Sequence, residues 1–207
     1  MLDQTLHLRT STHGEVQEDK EEVSELMLWI SKAKQGDADA FAHIYDSAIN
    51  DIYRYVYFKV AEEDASDVTS DIFIKVWEKL SSFQGDQEGK FRSWLFTIAH
   101  RTIIDYYRTK KITISLDDSL EVPDSEHTDI AAPEEELTHT LNTDLLKDAL
   151  KKLAEPGKSV ITMKYLEDLS YTEISKILKI KEGNIRIIVH RSLKRLQEII
   201  DELRSDH

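Results

Sequence analysis

Residues 170–196 constrain this chain more than any other stretch, because they fit a helix, a tight turn and a second helix. Ser170-Tyr171-Thr172-Glu173 reads as a capping box, in which hydroxyl and carboxylate each satisfy a backbone N–H left free at a helix start. Ile174, Ile177 and Leu178 follow in helical phase, residues 179–182 form the turn, and Gly183 opens the last helix. There Ile185, Val189, Ser192 and Leu196 make an inward stripe and leave Arg186, His190, Arg191, Lys194 and Arg195 mostly outward. A helix-turn-helix places its second helix in the DNA major groove, where basic side chains neutralise phosphates or donate to guanine edges. The plain alternative is a helical hairpin with a solvated basic face. The capping box and the short turn favour DNA.

The formal net charge of −13 over 207 residues argues against a nucleic-acid partner only until it is divided along the chain. Residues 1–25 carry −5, 26–111 carry −1, 112–140 carry −9, and 141–207 carry +2. The acidity is therefore concentrated in two segments, and the C-terminal part alone is basic, which is the asymmetry expected of a DNA-binding domain behind an acidic linker. Six Gly and three Pro among long stretches of Leu, Ile, Lys, Glu and Ala predict an all-α protein. The absence of Cys excludes disulfides, thiolate zinc sites and cysteine nucleophiles. No apolar run reaches the length of a membrane helix, and the N-terminus lacks a hydrophobic signal core, so a cytoplasmic protein without membrane insertion is expected.

Residues 1–23 are polar, acidic and aperiodic, which predicts a disordered extension. Helical phase begins near Ser24, with Leu26, Trp29, Ile30 and Ala33, and breaks at Gly36-Asp37, where Asp37 can cap the next helix. That helix carries Phe41, Ile44, Tyr45, Ala48, Ile52, Tyr55 and Val56 on one side. A third runs over about 64–80, with Val68, Ile72, Val76 and Leu80 in phase. Residues 81–90 contain Gly85 and Gly89 and read as a loop, and a fourth helix covers about 91–109. Residues 112–140, with two Pro and no basic side chain, predict an extended, self-repelling linker. Helical signal returns near Leu141, stops before Pro156-Gly157, and resumes over about 159–165. The expected organisation is an extension (1–23), a first helical domain (24–111), a linker (112–140) and a helix-turn-helix domain (141–207).

A second nucleic-acid signal lies in the fourth helix. Arg101, Asp105 and Arg108 share a face with Trp94, and Phe91, Phe96, Tyr106 and Tyr107 add aromatic surface. Aromatics beside guanidinium groups suit unstacked bases. The competing expectation is that Trp94, Leu95 and Ile98 are core and that Asp105 pairs with both arginines along the helix. That expectation is preferred for Trp94 and Asp105. A phosphate role is preferred for Arg108, Lys110 and Lys111.

These residues carry a family resemblance. Asp64-Ala65-Ser66-Asp67-Val68 with Asp71-Ile72-Phe73-Ile74-Lys75-Val76-Trp77, then Phe91-Arg92-Ser93-Trp94-Leu95-Phe96-Thr97-Ile98-Ala99, then Asp105 and Arg108, resemble the second conserved region of extracytoplasmic-function bacterial sigma factors. Tyr165-Leu166-Glu167-Asp168-Leu169-Ser170-Tyr171-Thr172-Glu173-Ile174, and Glu182-Gly183-Asn184-Ile185-Arg186 with His190-Arg191, resemble that group's fourth region. The resemblance implies a subunit that directs RNA polymerase core to promoters and assists their melting. Asp64, Asp67, Asp71, Phe73, Lys75 and Trp77 would meet the polymerase. The loop with Phe83, Gln84, Gly85, Asp86 and Lys90 would capture a flipped base, whose unstacking a shaped pocket must offset. Arg92, Arg101, Arg108, Lys110 and Lys111 would touch DNA from the first domain. Asn184, Arg186, Ile187, His190, Arg191 and Lys194 would read duplex upstream. The acidic linker would thread toward a basic RNA exit path.

The chain departs from the family where Arg101 replaces a usual Asn, where Lys181 replaces a usual Ser cap, and where Ile187 and Ile188 replace small or basic residues. The isoleucines can instead meet thymine methyls or pack against a partner. The partners implied are core polymerase and promoter DNA, duplex and single-stranded. The sequence leaves open whether an inhibitory anti-sigma factor exists and whether the two domains sit together or apart. No phosphate-binding Gly loop, Gly-x-Ser-x-Gly or other catalytic constellation is present, so no enzyme activity and no cofactor are expected. Glu136 and His139 have the spacing of one metal pair, but no further ligands accompany them, and no metal site is expected. His43, His100 and His190 are isolated and read as ordinary surface or core residues. Two rival readings stand beside the first: a stand-alone helix-turn-helix regulator, and a degenerate module that occupies polymerase without opening promoters.

Overall fold

The computed structural model describes residues 24–116 and 134–205, with side chains over 24–110 and 143–205. Among these residues there are eight α-helices and no strand: α1 Glu25–Ala33, α2 Ala38–Tyr57, α3 Ala65–Lys79, α4 Glu88–Leu116, α5 Glu134–Lys152, α6 Gly157–Ile161, α7 Tyr171–Leu178 and α8 Glu182–Ser205. The expected all-α class with two helical domains, α1–α4 and α5–α8, is what the chain adopts. The extension 1–23 lies outside the described residues.

Local chemistry explains the boundaries. Ser24 Oγ accepts from Met27 N at 3.3 Å and Asp37 Oδ1 accepts from Ala40 N at 3.0 Å, so both caps satisfy free N–H groups of a first turn. Gly36 before Asp37 has φ +92°, a conformation L side chains rarely adopt. The capping box is complete: Ser170 Oγ accepts from Glu173 N, and Glu173 accepts from Ser170 N. Gly157 lets α6 approach α8, because a Cβ there would fall 2.4 Å from Ser192 Oγ.

Several expected boundaries move. The fourth helix is longer than 91–109, running from Glu88 to Leu116, so Lys90 belongs to its first turn and the loop 81–90 is shorter. Helix returns at Glu134, not near Leu141, so the linker without helix is narrower than 112–140; residues 117–133 lie outside the described ones. The predicted 159–165 helix is α6 plus a π-helical turn, Thr162–Leu166. The shifts range from one residue to about two turns and fall at helix ends, where apolar periodicity is weakest and boundaries are least sharply written in the sequence.

The two domains share a core. A single buried cluster joins Ile44, Ile52, Ile72, Phe96 and Ile103 of the first domain to Met163, Leu169, Ile174 and Ile185 of the second. A smaller cluster seats Phe58, just past α2, among Leu150, Leu153, Ile161, Leu196 and Ile199. Fully burying one such side chain contributes about 1.5–3 kcal/mol, so the interdomain contact is an apolar interface as well as a polar one.

Candidate polymerase and promoter interfaces

On α8 the inward stripe falls as expected, with Ile185, Val189, Ser192 and Leu196 buried. Asn184, Arg186, Ile187, His190, Arg191 and Lys194 lie on the opposite, exposed face. Arg186 is partly engaged: its guanidinium meets Glu182 at 2.6 Å and lies 4.4 Å from the Tyr171 ring centroid. Glu182 also accepts from the Thr172 hydroxyl at 2.9 Å, so one carboxylate ties α7 to the start of α8. These contacts hold Glu182 below the usual carboxylate range. Further along, Arg195 pairs with Glu198 at 3.1 Å and Glu202 at 3.2 Å, so its charge is answered within the helix. Arg191, Lys194 and His190 have no such partner among the described residues.

The face formed by α2 and α3 is apolar and open. Phe41, Tyr45, Phe73, Ile74 and Trp77 line a shallow groove, with Phe41 and Trp77 edge to face at 4.8 Å between centroids and Tyr45 and Phe73 at 4.6 Å. Ile74 is 57% exposed and Trp77 41%. Phe73, named from sequence as a contact residue, is buried and forms the floor. Periodicity did not single out Ile74, although an apolar residue at an outward phase of an amphipathic helix was the available signal. Asp67 and Asp71 are exposed, and Asp71 lies on the α3–α4 side with Asp64, Lys75 and Asp105 rather than in the groove. Lys75 reaches across to Thr102 Oγ1 at 3.3 Å.

Asp64 does not stand free. It accepts from the Tyr106 hydroxyl and pairs with Lys110 at 2.9 Å, fastening the start of α3 to α4. Lys110 and Tyr106 together lower the Asp64 pKa, and the same bonds raise that of Lys110. Lys110, expected on phosphate, is thus occupied, and the Lys111 side chain lies outside the described ones. Arg101 and Arg108 are exposed. Neither pairs with Asp105 among the described residues, contrary to expectation; the carboxylate is short and all three side chains point into water, where an ion pair is worth little.

The base-capture loop divides. Phe83 is buried, edge to face with Phe91 at 5.4 Å and tilted on Trp94 at 5.3 Å, so its ring belongs to the core rather than to an open platform. Gln84, Asp86 and Lys90 are exposed, and Lys90 pairs with Asp86 one turn away. Gly85 sits over the Phe83 ring, where a Cβ would come within 2.3 Å of Phe83 Cζ. Trp94 is half-buried in the core, as preferred. Arg92 turns away from the loop to Asp51 at 3.7 Å and donates to the Glu167 carbonyl of the second domain.

Between the domains lies a polar cluster that the sequence did not signal. Arg54 grips Glu167 through Nε at 3.1 Å and Nη2 at 2.8 Å, and the Glu167 side chain is wholly buried. Burial raises the Glu167 pKa against the pull of Arg54. Nearby, buried Lys59 donates to Glu155 and, at 2.7 Å, to Ser159 Oγ. Burial lowers Lys59; it pushes Glu155 up, but Lys59 and Ser159 outweigh it and the net direction is down. Tyr55 and His100 meet at 3.2 Å beneath this cluster, and burial with neighbouring Lys59 takes His100 down to about 4.

Comparison with known proteins joins these faces to a family. Residues 44–112 match the family model of Sigma-70 region 2, and residues 143–196 that of Sigma-70, region 4. The chain is 32% identical over 183 residues to the ECF RNA polymerase sigma factor SigW of Bacillus subtilis (strain 168), covering 84% of this chain and 96% of SigW. The chain belongs to the ECF RNA polymerase sigma factors. Such a subunit serves transcription initiation with RNA polymerase core and promoter DNA, and the stand-alone regulator is not favoured. The ECF sigma factor BldN of Streptomyces coelicolor is 26% identical over 180 residues, 86% of this chain and 66% of BldN. In fold, this sigma factor is similar to a structure of the sigma factor RpoE in complex with the anti-sigma factor NepR from Bartonella quintana, with TM-score 0.65, 21% identity and coverage of 78% of this chain and 96% of the matched one. A structure of CnrH in complex with the cytosolic domain of CnrY gives TM-score 0.63 at 20% identity, covering 84% and 96%. Among the described residues of this sigma factor, no helix is long and apolar enough to cross a membrane, and no cluster of His, Asp or Glu could hold a metal.

Proposed function

We propose a division of labour among the residues of this sigma factor. The domain 24–111 docks core polymerase and handles melted DNA, and 141–207 reads the upstream duplex, with 112–140 connecting them. Polymerase binds the α2–α3 groove through Ile74, Trp77 and Tyr45 and reaches the exposed carboxylates Asp67 and Asp71 on the same helix, while Phe73 shapes the floor and Asp64 and Lys75 brace α3 against α4. The observation that carries this reading is the groove itself: large apolar side chains left in water on a soluble domain mark a partner surface. Gln84, Gly85, Asp86 and Lys90, with the first turns of α4 including Arg92, receive the displaced strand, and Arg101, Arg108 and Lys111 follow its backbone. Asn184, Arg186, Ile187, His190, Arg191 and Lys194 contact the duplex, the cations on phosphate or guanine and Ile187 on thymine methyls.

The protein acts in the cytoplasm, where RNA polymerase works, and has no catalytic activity of its own. An anti-sigma factor is a further partner class, supported by the RpoE relative in fold being held by one. The test is transcription by purified core polymerase on a promoter library, with and without this protein. New start sites sharing two spaced upstream elements are expected. Ile74→Asp is expected to abolish them and polymerase binding while sparing duplex binding. Polymerase binding without new starts would leave the interaction-module reading instead.

A further inference from the structure

A cavity of about 490 Å³ lies at the seam between the domains and shares no residue with the α2–α3 groove or with the outward face of α8. One wall is the face of α4 that carries Ile103, Ile104 and Tyr107. The other is Leu178, which ends α7, and Ile180 in the turn after it. These side chains do not close on one another: Ile104 is 50% exposed and Tyr107 47%. The Tyr107 hydroxyl is engaged by the Lys59 carbonyl, so its ring is what remains for the cavity. Small-molecule sites have this character, with roughly 300–1,000 Å³ of mostly apolar space and a few placed polar groups.

The polar groups of the cavity do not balance. Lys59 and Lys158 bring two cations and Glu155 one carboxylate, while His100, its pKa taken down to about 4, is neutral at physiological pH. Both Glu155 oxygens are already committed. Oε1 accepts from the Lys59 ammonium, and Oε2 accepts from Ser159 N at 3.2 Å and Ser159 Oγ at 2.7 Å. The half-buried Lys158 ammonium is left without a hydrogen bond or ion pair among the described residues. Burial lowers the Lys158 pKa against the pull of Glu155, which marks a cation short of counter-charge. We propose that this cavity binds a small amphipathic monoanion, a carboxylate on an apolar chain, with its head on Lys158 and its tail between α4 and the end of α7. A charge-assisted hydrogen bond fixes the head, and burial of the tail supplies the affinity. An amine of the same shape is repelled, and an alcohol leaves Lys158 unanswered. Both domains wall the cavity, so a bound anion touches the two at once and stabilises the folded chain by linkage.

The test is calorimetric titration of the full chain with four probes below any micelle-forming concentration: octanoate, octanol, octylamine and acetate. Octanoate is expected to bind saturably and to raise the thermal unfolding midpoint, octanol to bind more weakly, and octylamine and acetate not to bind. Two variants, checked for unchanged helical circular dichroism, place the ligand. Lys158→Met should weaken octanoate about tenfold, the effect of losing one hydrogen bond to a charged group, and leave octanol unaffected. Ile104→Asp, which sets a carboxylate at the exposed mouth, should abolish octanoate binding. Octanol binding as tightly as octanoate would reduce the cavity to an apolar crevice without an anion site. Octanoate binding that survives both variants would put the ligand elsewhere. Either result, or no binding of octanoate at all, overturns the inference.

Discussion

The two DNA-facing surfaces of this sigma factor are built differently. The α8 face stands on one amphipathic helix: its apolar stripe faces the core, and its cations project from the opposite side into water. The α4 face is assembled from a loop, a helix start and a wall supplied by the other domain, and Phe83, Arg92 and Trp94 are partly or wholly taken into packing. A surface carried by one helix is available in any arrangement of the domains. A surface shared between domains takes its shape from their packing.

The largest effects should come from the core beneath both faces. Ile52→Ala in the first domain and Ile174→Ala in the second each remove a fully buried side chain, at a cost of about 2–5 kcal/mol. If the domains fold as one unit, urea unfolding of either variant shows a single transition at lower midpoint; two transitions, each sensitive to one variant, would break the picture of a shared core. Acid comes next. With the folded pKa of His100 lowered to about 4 from 6.5, the folded protein resists taking up a proton that the unfolded chain accepts. The resulting stability is fully present above pH 6.5 and is lost as pH falls toward 4, by up to about 3 kcal/mol at roughly 1.4 kcal/mol per pKa step. Unfolding midpoints measured between pH 7 and 4 should drop less steeply in His100→Gln than in wild type.

Smaller changes sharpen the contrast within α8. Arg191→Ala should cost about 1–3 kcal/mol of duplex affinity if it reaches a base edge, or lower the salt slope by about one if it sits on phosphate. Arg195→Ala, its charge already answered by Glu198 and Glu202, should leave duplex affinity unchanged; equal losses in filter-binding titrations would refute the distinction. Smallest is Ser170→Ala, which removes half of the capping box and should cost about 1 kcal/mol in thermal unfolding, with no direct loss at either face.

Much of the candidate site could be read from the chain because its signals are local. The α8 stripe, the capping box and the Asp37 cap depend on residues three or four positions apart, and the structure repeats them. The side chains whose burial or pairing the sequence did not show were those whose surroundings lie far away. Phe73 and Phe83 looked available because aromatic character alone does not say whether a ring faces water. Asp64 and Lys110 looked free because their partners are each other, 46 residues apart. The bond from Arg92 to the Glu167 carbonyl left no trace in the sequence because Glu167 is 75 positions downstream.

The sequence by itself determined the all-α class, the helix starts that carry caps, the basic reading helix and the family motifs in their order. All of these are written in periodicity, capping chemistry and charge over one or two turns. Only the tertiary structure decided that Phe58 fills the second domain, that Arg54 and Lys59 fasten it, and that α7 lies across the start of α4. Burial and pairing are properties of two surfaces that meet, and either surface alone, exposed to water, reads as an ordinary polar helix end.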